Sequence, residues 1–176
     1  MKKHKDMKTL KATLTICLMS LITLAANAAD AHVNGISYNI SSQEDKTVEV
    51  TFADNAYSGY VVIPSTISIN GETYTVEGIE ENAFSNCFSL TNVSVPATVK
   101  NISFHSFDNC ASLKSISVDK KNKNFCCLKG VLYNKSMTTL VACPGAIEEI
   151  NLPDSVKNIS GYTIFGSTKG MKIIRK

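Results

Sequence analysis

The chain has 176 residues, 44% hydrophobic and 19% charged, no tryptophan, and a formal net charge of +3. That length suits one fold with a sizeable core, so neither a metal nor a disulfide framework is needed to hold it together. Five of the 18 Lys and Arg (Lys2, Lys3, Lys5, Lys8, Lys11) and one of the 15 Asp and Glu (Asp6) lie in the first eleven residues, which leaves 13 basic and 14 acidic residues beyond them. The positive balance therefore belongs to the leading segment and is no argument for a nucleic-acid partner.

Those lysines precede an apolar run from Ala12 to Ala26 that ends in the small residues Ala26-Asn27-Ala28. Residues 1–28 are expected to be a secretory signal peptide. The run is short of the ~20 residues a membrane-spanning helix requires. Cys17 sits inside the apolar stretch behind the bulky Ile16, the wrong place for a lipidated cysteine. Export to the cell surface or the extracellular space follows, with the periplasm as an alternative destination. Beyond the leader remain Cys87, Cys110, Cys126, Cys127 and Cys143, an odd set that cannot all pair within one chain.

Residues 29–77 are expected to form an N-terminal β cap. Val48-Glu49-Val50-Thr51-Phe52 alternates like a strand, and Asn70-Gly71 between Thr66–Ile69 and Thr73–Val76 is a hairpin turn signal. Residues 78–176 carry a repeat. Ile79, Ala83-Phe84, Cys87, Leu90, Val93 and Val95 return 23 residues later as Ile102, Ser106-Phe107, Cys110, Leu113, Ile116 and Val118. A unit this short cannot bury its apolar residues alone, so stacked copies must align them in internal rows, Phe84 over Phe107 and Cys87 over Cys110. Val93-x-Val95-Pro96-x-x-Val99-x-x-Ile102 returns again as Ile150-x-Leu152-Pro153-x-x-Val156-x-x-Ile159, and Val61-x-Ile63-Pro64 is an earlier partial copy. Each proline marks a strand end.

Asp119 stands where Pro96 would recur, and a lysine-rich stretch leads into an inserted hairpin at about 119–145, with Tyr133 and Leu140 flanking Asn134-Lys135-Ser136. The last unit is irregular around Ile164-Phe165, as a terminal unit must be to cover the apolar end, and Met171 to Lys176 is expected to supply a closing strand whose charges resist edge pairing.

The pattern Ala-Phe-x-x-Cys-x-x-Leu-x-x-Val-x-Val-Pro-x-x-Val-x-x-Ile resembles the BspA-like leucine-rich repeats of secreted and surface proteins of host-associated bacteria. Gly35-Ile36-Ser37-Tyr38-Asn39-Ile40 and Gly130-Val131-Leu132-Tyr133-Asn134-Lys135, followed by Thr139-Leu140-Val141, are similar to further habits of that family, so the resemblance runs from residue 35 to about 165. It implies a mainly β, right-handed solenoid of 23-residue period and a binding role in adhesion.

Catalysis finds little support. Only His32 and His105 follow the leader. His105 lies near Ser103, Ser106 and Asp108 without a nucleophile elbow. No phosphate loop, metal motif or cofactor signature appears, so no cofactor is expected. Cys87 and Cys110 read as a buried ladder, with a disulfide between stacked units as the lesser alternative. Cys143 could pair with Cys126 or Cys127, or the adjacent pair could split into one packed and one exposed thiol. Glu80-Glu81 and Glu148-Glu149 read as solvated charges. Asp154-Ser155-Val156 resembles a bacterial O-glycosylation acceptor.

The candidate binding face is the outward strand row, placed by repeat register at Tyr60 and Val62, Asn92 and Ser94, Ser115 and Ser117, and Glu149 and Asn151. Its middle is small and hydroxyl-rich, so aromatic anchors are expected nearby at Tyr57, Tyr60 and Tyr133. The expected function is an exported binding module engaging a protein or glycan on a host or bacterial surface. The alternative is an accessory to envelope assembly with no adhesive role, and a plainly solvated sheet is the bland reading of the same row.

Overall fold

In the computed structural model, residues 28–53, 56–159 and 171–175 are described, and among them there are fifteen strands and no helix. The expectations for the leader and for Ile164-Phe165 lie outside these residues. Three two-residue turns set the local reversals. Asn34-Gly35 joins β1 (Ala31–Val33) to β2 (Ile36–Ser42), and Asn70-Gly71 joins β5 (Thr66–Ile69) to the long β6 (Glu72–Ile79). Lys129-Gly130 joins β10 (Phe125–Leu128) to β11 (Val131–Asn134). Both residues of each pair have positive φ, between 51° and 84°, the left-handed conformation that matches the twist of the flanking strands and that Asn and Gly adopt most readily. Asn70-Gly71 was legible in advance. Asn34-Gly35 carries the same signal.

Two parallel ladders alternate along the chain. One is built from β3 (Thr47–Val50), β6 and β8 (Asn101–Ile102), so that Val50, Ile79 and Ile102 align. The other is built from β4 (Gly59–Val62), β7 (Leu90–Val95) and β9 (Ser115–Val118), where Val61, Val93 and Ile116 align and Asn92 faces Ser115. β2 pairs antiparallel with β3, and β5 with β6, which extends the first ladder into a six-stranded sheet.

Between the ladders the stacked rows fill the core. Phe84 and Phe107 lie parallel, ring centroids 5.3 Å apart at 5°. Cys87, Cys110, Leu90, Leu113, Val93 and Ile116 are all buried. The turns between the ladders repeat too. Asn82 and His105 hold one left-handed position, Asn86 and Asn109 another, and the Asn109 amide donates to Asn86 Oδ1 at 2.9 Å.

The segment expected to hold one hairpin has three antiparallel strands, β10, β11 and β12 (Thr139–Ala142), with Tyr133 opposite Leu140. β14 (Asn158–Ile159) adds in parallel to β12. β13 (Glu149–Leu152) pairs in parallel with β15 (Lys172–Arg175). In the lysine-rich stretch, Asn122 is buried. Its amide donates to the carbonyls of Pro96 and Val99 at 2.9 Å each, and its Oδ1 accepts the Asn124 and Phe125 N–H at 2.8 Å each. It stands 23 residues after the buried Val99, so the register marks the position, though a polar residue there conceals it.

Candidate binding face

The β4–β7–β9 ladder presents one outward row. Inward-facing Val61, Val93, Val95 and Ile116 are buried, and period-two alternation turns Tyr60 and Val62, Asn92 and Ser94, and Ser115 and Ser117 the other way. Tyr60 and Val62 are 63% and 56% exposed, so the β4 end of the row is bare apolar surface. The middle is partly tied to itself: Asn92 Nδ2 donates to Ser115 Oγ at 3.0 Å, and Ser117 Oγ to the Val93 carbonyl at 3.2 Å. Six of the expected face residues are thus brought together.

The other four are not. Tyr57 is buried. Its ring packs against Phe84 at 4.8 Å, and its hydroxyl accepts the Ser37 N–H at 3.0 Å while donating to the Thr51 carbonyl at 2.7 Å. Burial pushes that hydroxyl's pKa up. Tyr133 is only 1% exposed, because alternation along β11 turns its ring inward with Val131. Glu149 and Asn151 are exposed, but on β13, where they face Lys172 and Ile174 of β15 and not Ser115 and Ser117. The Lys129-Gly130 turn interrupts the row: the Ile116 N–H donates to the Gly130 carbonyl at 2.8 Å, and a Cβ on Gly130 would lie 2.8 Å from the Ser115 Cβ.

Sequence reasoning also missed four exposed apolar side chains, Phe52, Phe88, Phe104 and Leu128. Phe52 and Phe104 each stand two residues beyond an aligned ladder residue, Val50 and Ile102, with Glu81 in the equivalent place after Ile79. Glu80, read as a solvated charge, accepts both of its contacts from the Asn39 amide at 3.1 and 3.0 Å, and Gly78 leaves room for the Glu49 side chain beside it. Burial, then the Glu80 charge, raises the Glu49 carboxyl pKa.

His105 occupies the left-handed turn position that Asn82 holds one unit earlier, with Nδ1 2.6 Å from Asp108 Oδ2. The Ser106 hydroxyl lies against the Glu80 and Ser103 carbonyls, not the imidazole. All five described thiols are free. Cys110 is buried under Phe84 with Sγ 3.0 Å from its carbonyl, and burial pushes its pKa up to about 12. Cys143 is buried beside Met171, Sγ to Sδ 3.3 Å, its pKa pushed up to about 11 by burial. Cys126 is half-buried and Cys127 exposed. Among the described residues no three His, Cys, Asp or Glu side chains group to hold a metal ion.

The strand ladders define a leucine-rich-repeat fold, and solved bacterial proteins share it. A leucine-rich repeat protein from Bacteroides capillosus matches at TM-score 0.53 and 24% identity, covering 83% of this chain and 97% of its own. One from Bacteroides ovatus matches at TM-score 0.50 and 23% identity, over 74% of this chain and 37% of its own. A leucine rich cell surface protein from Faecalibacterium prausnitzii matches at 0.52 and 16%, over 86% and 44%. The chain therefore spans less than half the length of the last two. The family model for the BspA type leucine rich repeat region matches residues 51–169, more than half of the chain, with six copies. This chain belongs to the BspA-type leucine-rich-repeat family. No curated protein matches it.

Proposed function

We propose that this chain is an exported binding module: a short right-handed solenoid of 23-residue period, with residues 1–28 as its signal peptide and 29–77 as its N-terminal cap, that engages a protein on a host or bacterial surface. The engaging surface is the outward row of β4, β7 and β9, namely Tyr60, Val62, Asn92, Ser94, Ser115 and Ser117. One observation carries the reading: an exposed aromatic and an exposed aliphatic side chain head an otherwise small, hydroxyl-bearing strip on a single parallel sheet. An apolar anchor beside adaptable hydrogen-bonding groups is how protein interfaces are commonly made. Family membership supports a binding role over a catalytic one, and adhesion is its expected use.

The test is capture of extracellular-matrix proteins and mucins by the immobilised protein, with a glycan array in parallel. Binding to a protein in the panel that Ser94→Arg with Ser117→Arg abolishes supports the reading. A protein that captures nothing in the panel, and is recovered instead in a stable complex with an envelope protein after mild extraction, replaces it with the assembly role.

A further inference from the structure

At their amino-terminal sides the two parallel ladders are finished differently. Beyond β3, the first ladder is closed by β2, which pairs antiparallel with it and is itself covered by β1. Beyond β4 nothing follows: among the described residues β4 pairs with β7 alone.

The register fixes where the remaining backbone groups point. The Gly59 N–H donates to the Ser89 carbonyl at 2.9 Å and the Ile63 N–H to the Ser94 carbonyl at 3.0 Å, so residues 59, 61 and 63 turn towards β7. Alternate residues of a parallel strand turn their N–H and C=O to opposite sides. Tyr60 and Val62 therefore aim both of their backbone groups at the open edge, and it is their side chains that stand exposed.

Gly59-Tyr60-Val61-Val62 is short, and its pairing with β7 shifts register between Gly59 and Tyr60, but it carries neither a charge nor a proline to block an added strand. Two other edges are guarded. β9 is backed by the Gly130 turn, and β15 carries Lys172 and Arg175. An uncharged edge with two free donor and acceptor pairs, beside exposed apolar side chains at strand spacing, is complementary to one chemistry, an extended polypeptide backbone.

We propose that β4 is a strand-docking edge that takes an extended, uncharged, alternately apolar segment of the partner protein as an additional strand, paired through the backbone of Tyr60 and Val62. This rests on the binding-face reading and names the form its partner takes. A second copy of the chain is a poorer occupant, because β4 against β4 offers four residues a side where stable interfaces use roughly 20 to 30. A partner segment can continue across the face to Asn92 and Ser94.

The fold supplies the probe. The segment it already lays against the other edge of β4 is Leu90–Val95, so a fluorescent, end-blocked peptide of sequence Leu-Thr-Asn-Val-Ser-Val is titrated into the purified protein. Anisotropy and amide hydrogen exchange are the readouts. The expected result is slowing of exchange at the Tyr60 and Val62 amides by at least about tenfold on adding peptide. Val62→Pro removes the outward donor without touching a bond to β7, and weakens the peptide by a similar factor with the melting temperature near wild type. Val62→Lys keeps the donor but charges the edge, and acts in the same direction should the proline variant fold poorly.

The proposal is overturned if millimolar peptide leaves those two amides unprotected, or if a folded Val62→Pro and Val62→Lys bind it as wild type does. Protection that grows with protein concentration in the absence of peptide overturns it in favour of a second copy. If Ser94→Arg with Ser117→Arg abolishes capture of a panel protein while Val62→Pro does not, the β7–β9 part of the face stands, and the edge and the Val62 anchor both fall.

Discussion

The parallel ladders between Thr47 and Val118 and the strands from Phe125 onward bury most of their apolar side chains in separate cores, with β11 as the wall between them. Leu132 of β11 joins the larger core with Phe84, Leu90, Leu113 and Ile116, whereas its neighbours Val131 and Tyr133 join the smaller one with Leu140, Cys143, Ile150, Leu152 and Val156. In the larger core a side chain rests on its own copy from the next unit, as Phe84 does on Phe107. In the smaller core Ile150, Leu152 and Val156 belong to a repeat unit, but they pack with Val131, Tyr133, Leu140 and Cys143 of the inserted strands and not on their own copies. Stability in the first is a sum over like neighbours. In the second it depends on a few particular contacts.

Truncation on either side of β11 tests that division most forcefully. Leu132→Ala should cost about 2 to 5 kcal/mol and Tyr133→Ala about 3 to 5 kcal/mol, the range for large buried side chains. Amide hydrogen exchange separates them: Tyr133→Ala should speed exchange in β12 to β15 while β4, β7 and β9 keep their protection, and Leu132→Ala should loosen both. Equal loosening everywhere by Tyr133→Ala would merge the two cores into one cooperative unit.

Asn122 ties the end of the regular units to the strands that follow. Asn122→Ala strands two carbonyls and two N–H groups, and a loss of about 2 to 4 kcal/mol is expected from chemical denaturation. A loss below 1 kcal/mol would mean that water replaces the side chain.

Thiol labelling gives a sharper reading of the same boundary without changing stability. In the native protein a maleimide should modify Cys127 first and Cys126 more slowly, leaving Cys87, Cys110 and Cys143 unreacted until denaturant is added. Native labelling of Cys143 ahead of Cys110 would show the smaller core opening on its own. Labelling of both together with Cys127 would contradict the burial of either row.

The smallest effect belongs to the first ladder. The Glu49 carboxyl has its pKa raised on folding, by burial and then by Glu80, so the folded state binds the proton more tightly and stability falls as pH rises through and just above the carboxylate range. Glu49→Gln should therefore raise the melting temperature slightly at pH 7, by about 2 °C or less, and flatten its dependence between about pH 4 and 6. A lower melting temperature at pH 7 would reverse the sign.

The contrast between the cores also explains what could be read in the residues alone. Repetition made the larger core legible: a shift of 23 names the rows, the β7–β9 pair and four residues of the outward face, and the partial copy at Val61-x-Ile63-Pro64 adds Tyr60 and Val62. Non-repeating contacts were not legible. Tyr133 turns inward because of partners on β12 and β13 whose packing against it the repeat does not announce, and Tyr57 is held by the Ser37 and Thr51 backbone some distance along the chain. Glu149 and Asn151 carry the right alternation, but the Gly130 turn comes between them and the row they were assigned to. Asn122 hid because a polar residue filled a core position.

The most direct test of the binding account compares two charge-introducing pairs on the same protein, Ser94→Arg with Ser117→Arg on the β7–β9 surface and Glu149→Arg with Asn151→Arg on β13, for capture of whichever matrix or mucin protein the wild type binds. The account predicts loss of binding by at least about tenfold for the first pair and near wild-type binding for the second. Loss confined to the β13 pair, or equal loss in both, would contradict it.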